Sequence, residues 1–245
     1  MSIKPYNKSE SKKHQVELMF DNIAFRYDFL NHFLSGGVDF WWRSKAISIF
    51  KKALNSQGRK EPGLLDIATG TGDLAFALKD IKPSKVVGLD LSQKMLDVAE
   101  GKLRSHNLSF DISFIKGDSE ALPFEENEFD GVCVAFGVRN FENLQKGLKE
   151  MNRVIDKGGV LMVLEFSSPE NTLFKSLYDF YLGNILPLIG KLISRDQRAY
   201  KYLQESVQAF PSGKGFLNIL DECGFVKAKH FPLSLGICSV YIAQK

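Results

Sequence analysis

The chain has 245 residues, 44% of them hydrophobic and 25% charged, an ordinary globular composition and enough length for one large domain with a sizeable core. The net charge is +3, the basic residues are scattered, and no basic stripe is interleaved with aromatics, so the charge pattern gives no support to a nucleic-acid partner. Cys133, Cys223 and Cys238 are far apart and form no C-x-x-C pair, and His14, His32, His106 and His230 show no ligand spacing; a disulfide framework and a metal site are both unexpected, and a reducing cytoplasm is the expected setting.

Residues 1–13 are polar and charged, lack the apolar core of a signal peptide, and are expected to be disordered or loosely docked. From 14 to 34, Val16, Met19, Phe20, Ile23, Tyr27, Leu30 and Leu34 recur at helical spacing. Ser35-Gly36-Gly37 breaks that pattern, and a second helix is expected from about Trp41 to Leu54. Residues 57–63, Gln-Gly-Arg-Lys-Glu-Pro-Gly, read as a linker into the main sheet.

Strands near 63–67, 85–89, 111–115, 129–135 and 159–165 then alternate with helices near 72–80, 92–106 and 143–155. Such alternation predicts an α/β fold: a mostly parallel sheet with helices on both faces. After Glu165 the pattern changes. Residues 171–193 are dense in Leu, Ile, Phe and Tyr, but Lys175, Asp179, Lys191 and Pro187 interrupt them. That suits a lid or an interfacial segment rather than a membrane span, and no run of about 20 apolar residues occurs anywhere in the chain. The chain closes on Phe225–Phe231 and Gly236–Ala243, which read as an antiparallel C-terminal strand pair. The expected division is an N-terminal helical cap over 1–56 and a main domain over 57–245, with a helical lid insertion at about 171–210.

The most informative stretch is Leu64-Leu65-Asp66-Ile67-Ala68-Thr69-Gly70-Thr71-Gly72-Asp73, a buried strand running into a glycine turn and a helix. Glycine lets a ligand approach the backbone because no Cβ intervenes. Asp90 ends the next apolar run, at the spacing of a carboxylate that grips a ribose diol. Gly70-Thr71-Gly72-Asp73-Leu74-Ala75 formally satisfies the dinucleotide pattern G-x-G-x-x-G/A. A pyrophosphate at the helix N-terminus would, however, meet Asp66 and Asp73. S-adenosyl-L-methionine has no phosphate and carries a sulfonium and an ammonium, so the acids favour it. The plain alternative, a turn without ligand, does not need so well-spaced an acid. Asp66, Asp90 and Asp118 all fall at or beyond strand ends and should converge on one sheet edge, with Asp118 receiving the adenine amino group and Ser119 beside it; a helix cap is the other use of that pair.

Four further motifs carry a resemblance. They are Tyr27-Asp28-Phe29-Leu30-Asn31-His32-Phe33-Leu34-Ser35 with Trp42-Arg43; Gly117-Asp118-Ser119-Glu120-Ala121-Leu122-Pro123-Phe124; Phe136-Gly137-Val138-Arg139-Asn140; and Arg153–Leu161 ending in Glu165-Phe166-Ser167. Tyr200–Val207 and Phe210-Pro211 extend it, so that it covers about residues 14 to 243. Together they resemble the menaquinone/ubiquinone biosynthesis C-methyltransferases. The resemblance implies a Rossmann-like class I methyltransferase fold, S-adenosyl-L-methionine as methyl donor, no metal, and transfer to a ring carbon of a polyprenylated hydroquinone. A 2-demethylmenaquinol is the first acceptor expected, and a 2-methoxy-6-polyprenyl-1,4-benzoquinol the second. Thr71, Asp90, Asp118 and Ser119 carry over as donor-binding positions, beside Asp66, Gly70 and Gly72 of the turn. Ala135 stands where some members have Ser, Asp39 where His is frequent, and Gln204 where Pro is common. A peripheral contact at the inner face of a membrane and a homodimer are carried as further expectations. The rival readings are a methyltransferase with another small or lipid-like acceptor, and a non-catalytic donor-binding subunit of a quinone-synthesis complex.

A ring carbon is a poor nucleophile until a hydroxyl proton leaves, and a phenol holds that proton to a pKa of about 10. Arg139 is the first candidate to stabilise the phenoxide, as a permanent charge in the loop after the fourth strand. Tyr27, Arg195, Tyr200 and Tyr202 follow it. The competing use of Arg139 is an ion pair with Asp28 or Glu165.

Overall fold

Leu64, Leu65, Ile67 and their neighbours form a strand buried from end to end (β1, Gly63–Ile67), as expected for the centre of a parallel sheet. In the computed structural model, residues 3–6, 9–105, 108–169, 174, 176, 178, 183 and 197–245 are described. Three helices precede β1: α1 (Lys12–Ile23), α2 (Tyr27–Leu34) and α3 (Val38–Ser56). Then follow α4 (Asp73–Ala77), β2 (Lys85–Asp90), α5 (Gln93–Leu103), β3 (Asp111–Lys116), β4 (Phe129–Ala135), α6 (Leu144–Val154) and β5 (Ile155–Phe166). The described C-terminal part adds α7 (Gln197–Ala209), α8 (Lys214–Glu222), β6 (Val226–Leu233) and β7 (Cys238–Gln244).

The seven strands lie in the order β3-β2-β1-β4-β5-β7-β6. All pairings from β3 to β5 are parallel, and β7 runs against both β5 and β6. The chain winds outward from β1 through β2 to β3, then returns to place β4 on the other side of β1. This reversal opens a crevice beyond the carboxyl ends of β1 and β4, where open α/β sheets bind ligands.

Side-chain alternation divides the core between the two faces. Leu64, Val160, Met162 and Leu164 pack with Phe50 and Leu54 of α3 on one side. Leu65, Leu161 and Val163 pack with Met151 of α6 and Phe216 of α8 on the other. The helices on both faces and the antiparallel last strand match the sequence reading.

Several boundaries differ. The helix expected over 14–34 is interrupted by a 3-10 turn at Ala24–Arg26, which re-aims Tyr27 and the helix after it. Strand β5 starts at Ile155, four residues early, because Ile155 pairs with Phe129 before an irregularity at Phe129/Gly131. The helix α8 was not foreseen. The N-terminal segment is also less loose than expected. Lys12 is buried, and its ammonium donates to the carbonyls of Arg139 (3.0 Å) and Phe141 (2.8 Å). Those two carbonyls explain the docking, which polarity alone could not reveal. The segment expected as a lid, with Leu182, Pro187, Ile189 and Arg195, lies outside the described residues apart from positions 174, 176, 178, 183 and those from 197. Among the described residues no helix is long and apolar enough to cross a membrane.

Candidate active site

Two strand ends adopt unusual backbone where the crevice opens. Ala68 after β1 and Phe136 after β4 have positive φ (53° and 57°), as do Gly70 (57°) and Gly72 (85°). Left-handed Ala and Phe are costly for residues with a Cβ and concentrate at functional sites. At Phe136 the backbone N–H reaches Leu164 O at 2.7 Å, and the turn that follows carries Arg139 and Asn140.

Beyond β1 and β2 lies a first cavity. Gly70, Asp90, Asp118 and Ser119 line it, with Leu89 and Met95 as apolar wall. Asp90 Oδ2 accepts Gly70 N and its Oδ1 accepts Ser92 N, both at 2.8 Å. These bonds aim the carboxylate, and it keeps acceptor capacity on the side that faces the cavity. Burial pushes its pKa up to about 6 against the three backbone N–H donors. Asp118 Oδ1 accepts Glu120 N, while its Oδ2 takes the ammonium of Lys13 at 2.6 Å. Lys13, Val16 and Phe20 of α1 close the cavity from above, a part in the site that sequence reasoning did not assign to this helix.

The remaining turn residues shape the loop rather than line this cavity. Asp66 is 1% exposed and accepts from Thr69 Oγ1 at 2.6 Å and from Cys133 Sγ; burial raises its pKa to about 7. Thr71 donates to Asp28 of α2. Gly72 leads into α4, and a Cβ there would meet Phe76 at 2.7 Å and Phe114 at 3.1 Å. A Cβ on Gly70 would meet only Tyr27, at 3.9 Å, so open space faces that residue.

The electrostatic argument from the sequence needs correction at Asp73. Its carboxylate is not a free charge at the α4 N-terminus: Lys102 (2.8 Å) and Arg43 (2.9 Å) hold it. Burial works to raise its pKa, but these cations outweigh that and lower it. Lys102 also contacts Asp28 at 2.5 Å, so one ammonium ties α2 to the glycine loop. The acids of the sequence reading that line this cavity are Asp90 and Asp118, the latter paired with Lys13. Two carboxylates at the strand ends with open space beside Gly70 fit a ligand such as S-adenosylmethionine.

A second cavity of about 740 Å³ adjoins the first. Phe20, Tyr27, Phe136 and Asn140 line both, so these four mark where contents of the two would meet. The larger cavity is mostly apolar. Trp42, Phe136 and Phe166 form an aromatic wall, with Phe136 and Phe166 centroids 4.6 Å apart. Against it lie Arg139, Asn140 and Tyr202. Arg139 pairs with the fully buried Glu165 at 2.7 Å and also donates to Phe136 O. The ion pair expected as the competing use is therefore present, through Glu165 rather than Asp28. Arg139 Nε, Asn140 Oδ1 and Tyr202 Oη are buried without a partner among the described residues. Three orphan polar atoms in one apolar cavity leave desolvation uncompensated, which an acceptor with its own hydroxyls would relieve. Burial pushes the Tyr202 hydroxyl pKa well up, and that of Tyr27 also rises. Tyr202 stands where the sequence reading named it as a candidate beside Arg139, and Asn140 is the group that the motif contained but whose part it could not assign. Arg195 lies outside the described residues, and so does the Tyr200 side chain.

The sequence pattern of the ubiE/COQ5 methyltransferase family matches residues 8–245. The chain belongs to the ubiE/COQ5 methyltransferase family. It is 43% identical over 244 residues to a demethylmenaquinone methyltransferase of Bacteroides fragilis, covering 99% of this chain and 97% of that one. It is 42% identical over 240 residues to the ubiquinone/menaquinone biosynthesis C-methyltransferase UbiE of Geotalea uraniireducens, covering 97% and 99%. Solved structures share the fold at lower identity. A SAM-dependent methyltransferase from Thermotoga maritima superposes with a TM-score of 0.64 at 17% identity, over 93% of this chain and 99% of that one. The 4+2 cyclase SpnF gives 0.62 at 15% identity, over 95% and 96%. A cyclase on this fold shows that the fold alone does not settle the chemistry; membership of the ubiE/COQ5 family does, and makes this chain a methyltransferase.

Proposed function

We propose that this methyltransferase moves a methyl group from S-adenosyl-L-methionine to a ring carbon of 2-demethylmenaquinol, giving menaquinol. The observation that carries the reading is the meeting of the two cavities at Tyr27, Phe136 and Asn140, with the orphan atoms of Arg139, Asn140 and Tyr202 in an otherwise apolar chamber. In this reading residues 1–56 cap a methyltransferase domain over 57–245.

When bound, S-adenosylmethionine supplies an electrophilic methyl on its sulfonium. Asp90 takes the ribose hydroxyls through the acceptor capacity its backbone donors leave, and Asp118 with Ser119 addresses the adenine. Gly70 allows close approach; Asp66, Thr71 and Gly72 hold the loop that presents it. The acceptor ring stacks against Phe136 and Phe166. Arg139 faces one ring oxygen and favours the phenoxide as the hydroxyl proton leaves, since its guanidinium keeps its charge; the carbon that gains the methyl then loses its own proton as the ring regains aromaticity and the oxygen is reprotonated, so one proton is released for each thioether formed. Glu165 fixes Arg139 from behind. Tyr202 and Asn140 hydrogen-bond the ring oxygens, and Tyr27 closes the junction between donor and acceptor. Holding ring carbon and sulfonium methyl in line, with water kept out, supplies much of the rate. The prenyl tail runs along Leu34, Val38, Leu203 and Ile237 of the same cavity, and each methylene buried there contributes about 0.8 kcal/mol.

A second reading, methylation of the 2-methoxy-6-polyprenyl-1,4-benzoquinol precursor of ubiquinone, is favoured by the UbiE relatives. A competition between naphthoquinol and benzoquinol acceptors of equal tail length tests the choice. The proposal expects the naphthoquinol product to dominate; a dominant benzoquinol product would replace the first reading by the second.

A further inference from the structure

Large aromatic side chains of the helical cap are exposed between residues 25 and 41, and Phe40 of α3 stacks on His32 of α2 at 4.2 Å, which joins the exposed parts of the two helices. Phe25 is 86% exposed, Phe29 59%, Phe40 57%, Trp41 52% and Phe33 52%. They belong to the turn before α2, to α2 itself and to the start of α3. Phe29 and Phe33, one helical turn apart, stack at 5.8 Å, so they form a shared surface rather than isolated exposures. Singly exposed apolar residues need no explanation, but a cluster of exposed aromatics within residues 25–41 does.

Two further observations say what covers this patch. The first is its continuity with the larger cavity. Phe33, Val38, Phe174 and Leu235 are exposed and also line that cavity, so the chamber opens through the aromatic face. The second is charge. The acids on these helices are turned inward and engaged: Asp28 with Thr71 and Lys102, Asp39 with Ser35, His32 and Arg43. Outward, α3 presents Trp41, Lys45, Ser48 and Lys52, all exposed and all within about 60° of one another around the helix. Aromatic anchors beside a lysine stripe suit an anionic lipid surface: Trp and Phe settle at the headgroup boundary, and lysines meet phosphates. A second copy of the chain seated here would close the mouth of the cavity instead.

We infer that the α2–α3 face, carrying Phe25, Phe29, Phe33 and Trp41 beside Lys45 and Lys52, docks on the surface of an anionic bilayer and opens the acceptor cavity directly into the lipid. The inference rests on the proposed function in one respect only: a prenylated acceptor gives the opening its use. Lipid docking itself follows from the patch.

Trp41 reports directly on docking, because Trp42 is buried and bonded to Ser234 Oγ at 2.8 Å. Full-length protein is mixed with vesicles of phosphatidylcholine and with vesicles containing phosphatidylglycerol. The inference expects a blue shift in Trp41 emission, absent in Trp41→Phe, and sedimentation with the anionic vesicles. Phe29→Glu with Trp41→Glu, both positions outside the two cavities, should weaken partition about tenfold or more while thermal melting stays unchanged. Lys45→Glu with Lys52→Glu should weaken it on anionic vesicles alone. No sedimentation and no emission shift in wild type would overturn the inference, as would a concentration-dependent dimer dispersed by Phe29→Glu without lipid binding. Methyl transfer to a tail-less naphthoquinol, measured without vesicles, separates the two proposals. Its absence, together with absence of transfer to a detergent-dispersed prenylated naphthoquinol, defeats the proposed function and leaves lipid docking standing. Wild-type turnover by the Phe29→Glu, Trp41→Glu variant on that acceptor, with loss on a vesicle-embedded quinol, supports the docking face specifically.

Discussion

Arg139 and Glu165 form an ion pair 2.7 Å long at the wall of the acceptor cavity, with the carboxylate wholly out of water. Glu165 is the penultimate residue of β5 and Arg139 sits in the turn after β4, so two neighbouring strands set the geometry. Burial drives the Glu165 pKa up and Arg139 opposes it. Removing the cation strands a buried carboxylate, at a cost of about 3–5 kcal/mol. Arg139→Ala should therefore melt early and turn over slowly. Arg139→Ala with Glu165→Ala should regain much of the stability but not the turnover, which separates the pair's structural part from its chemical one. Thermal melts and single-turnover rates check this; full turnover in the folded double variant would remove Arg139 from the chemistry.

Asp90 links pH to both stability and donor binding. Its folded pKa of about 6 lies above the unfolded value of 3.8. Between those values the unfolded chain ionises first, so stability falls as pH rises and the loss is complete above about 6. Asp66, raised to about 7, acts in the same direction over a wider window. Donor affinity should move oppositely, because hydroxyls need the ionised carboxylate: it should rise as pH passes 6. Asp90→Asn should flatten both profiles and weaken donor binding, each charge-assisted bond being worth roughly 1.5–3 kcal/mol. Chemical denaturation and calorimetry across pH 4–8 measure the two slopes.

Gly70 and Gly72 look alike in sequence and differ in space. Gly72→Ala forces a Cβ into Phe76 and Phe114 at positive φ, so overpacking adds to backbone strain, on the order of 1–3 kcal/mol. Gly70→Ala meets only Tyr27 at contact distance and should bear chiefly the left-handed penalty of about 1–2 kcal/mol. Gly72→Ala should melt lower than Gly70→Ala, while Gly70→Val should lose donor binding by filling the space beside the loop. Equal melting of the two alanine variants would show that the Phe76–Phe114 contact yields freely.

Much of this was legible in the chain because parallel strands leave an uninterrupted apolar signal and glycine turns are sparse. Leu64-Leu65-Asp66-Ile67 and Gly70 located the first strand and its loop, and Asp90 its partner, from spacing alone. Pairings between distant segments were not legible. Nothing local ties Lys13 to Asp118, Lys12 to the carbonyls of Arg139 and Phe141, or Thr71 to Asp28. Asp73 misled because its charge is answered by Arg43 and Lys102, 30 and 29 residues away. The acceptor cavity is built from α2, α3, the Phe136 turn and α7, so its shape exists only after folding.

Lys13 makes a further test of the cap. Its ion pair with Asp118 is about one-third exposed on each side, so it should contribute no more than about 1 kcal/mol to stability. Because α1 closes the donor cavity, Lys13→Ala should speed donor release more than it alters melting. Stopped-flow displacement measures that rate, and an unchanged rate would show that α1 does not gate the donor.

The central claim is carbon methylation of a demethylmenaquinol at the junction of two cavities. Single-turnover reaction of the purified chain with 13C-methyl S-adenosylmethionine and 2-demethylmenaquinol, read by NMR of the product, tests it most directly. The account predicts a labelled methyl on the ring carbon and an equal amount of S-adenosylhomocysteine. Label on a ring oxygen, or no label in folded protein that binds the donor, would contradict it.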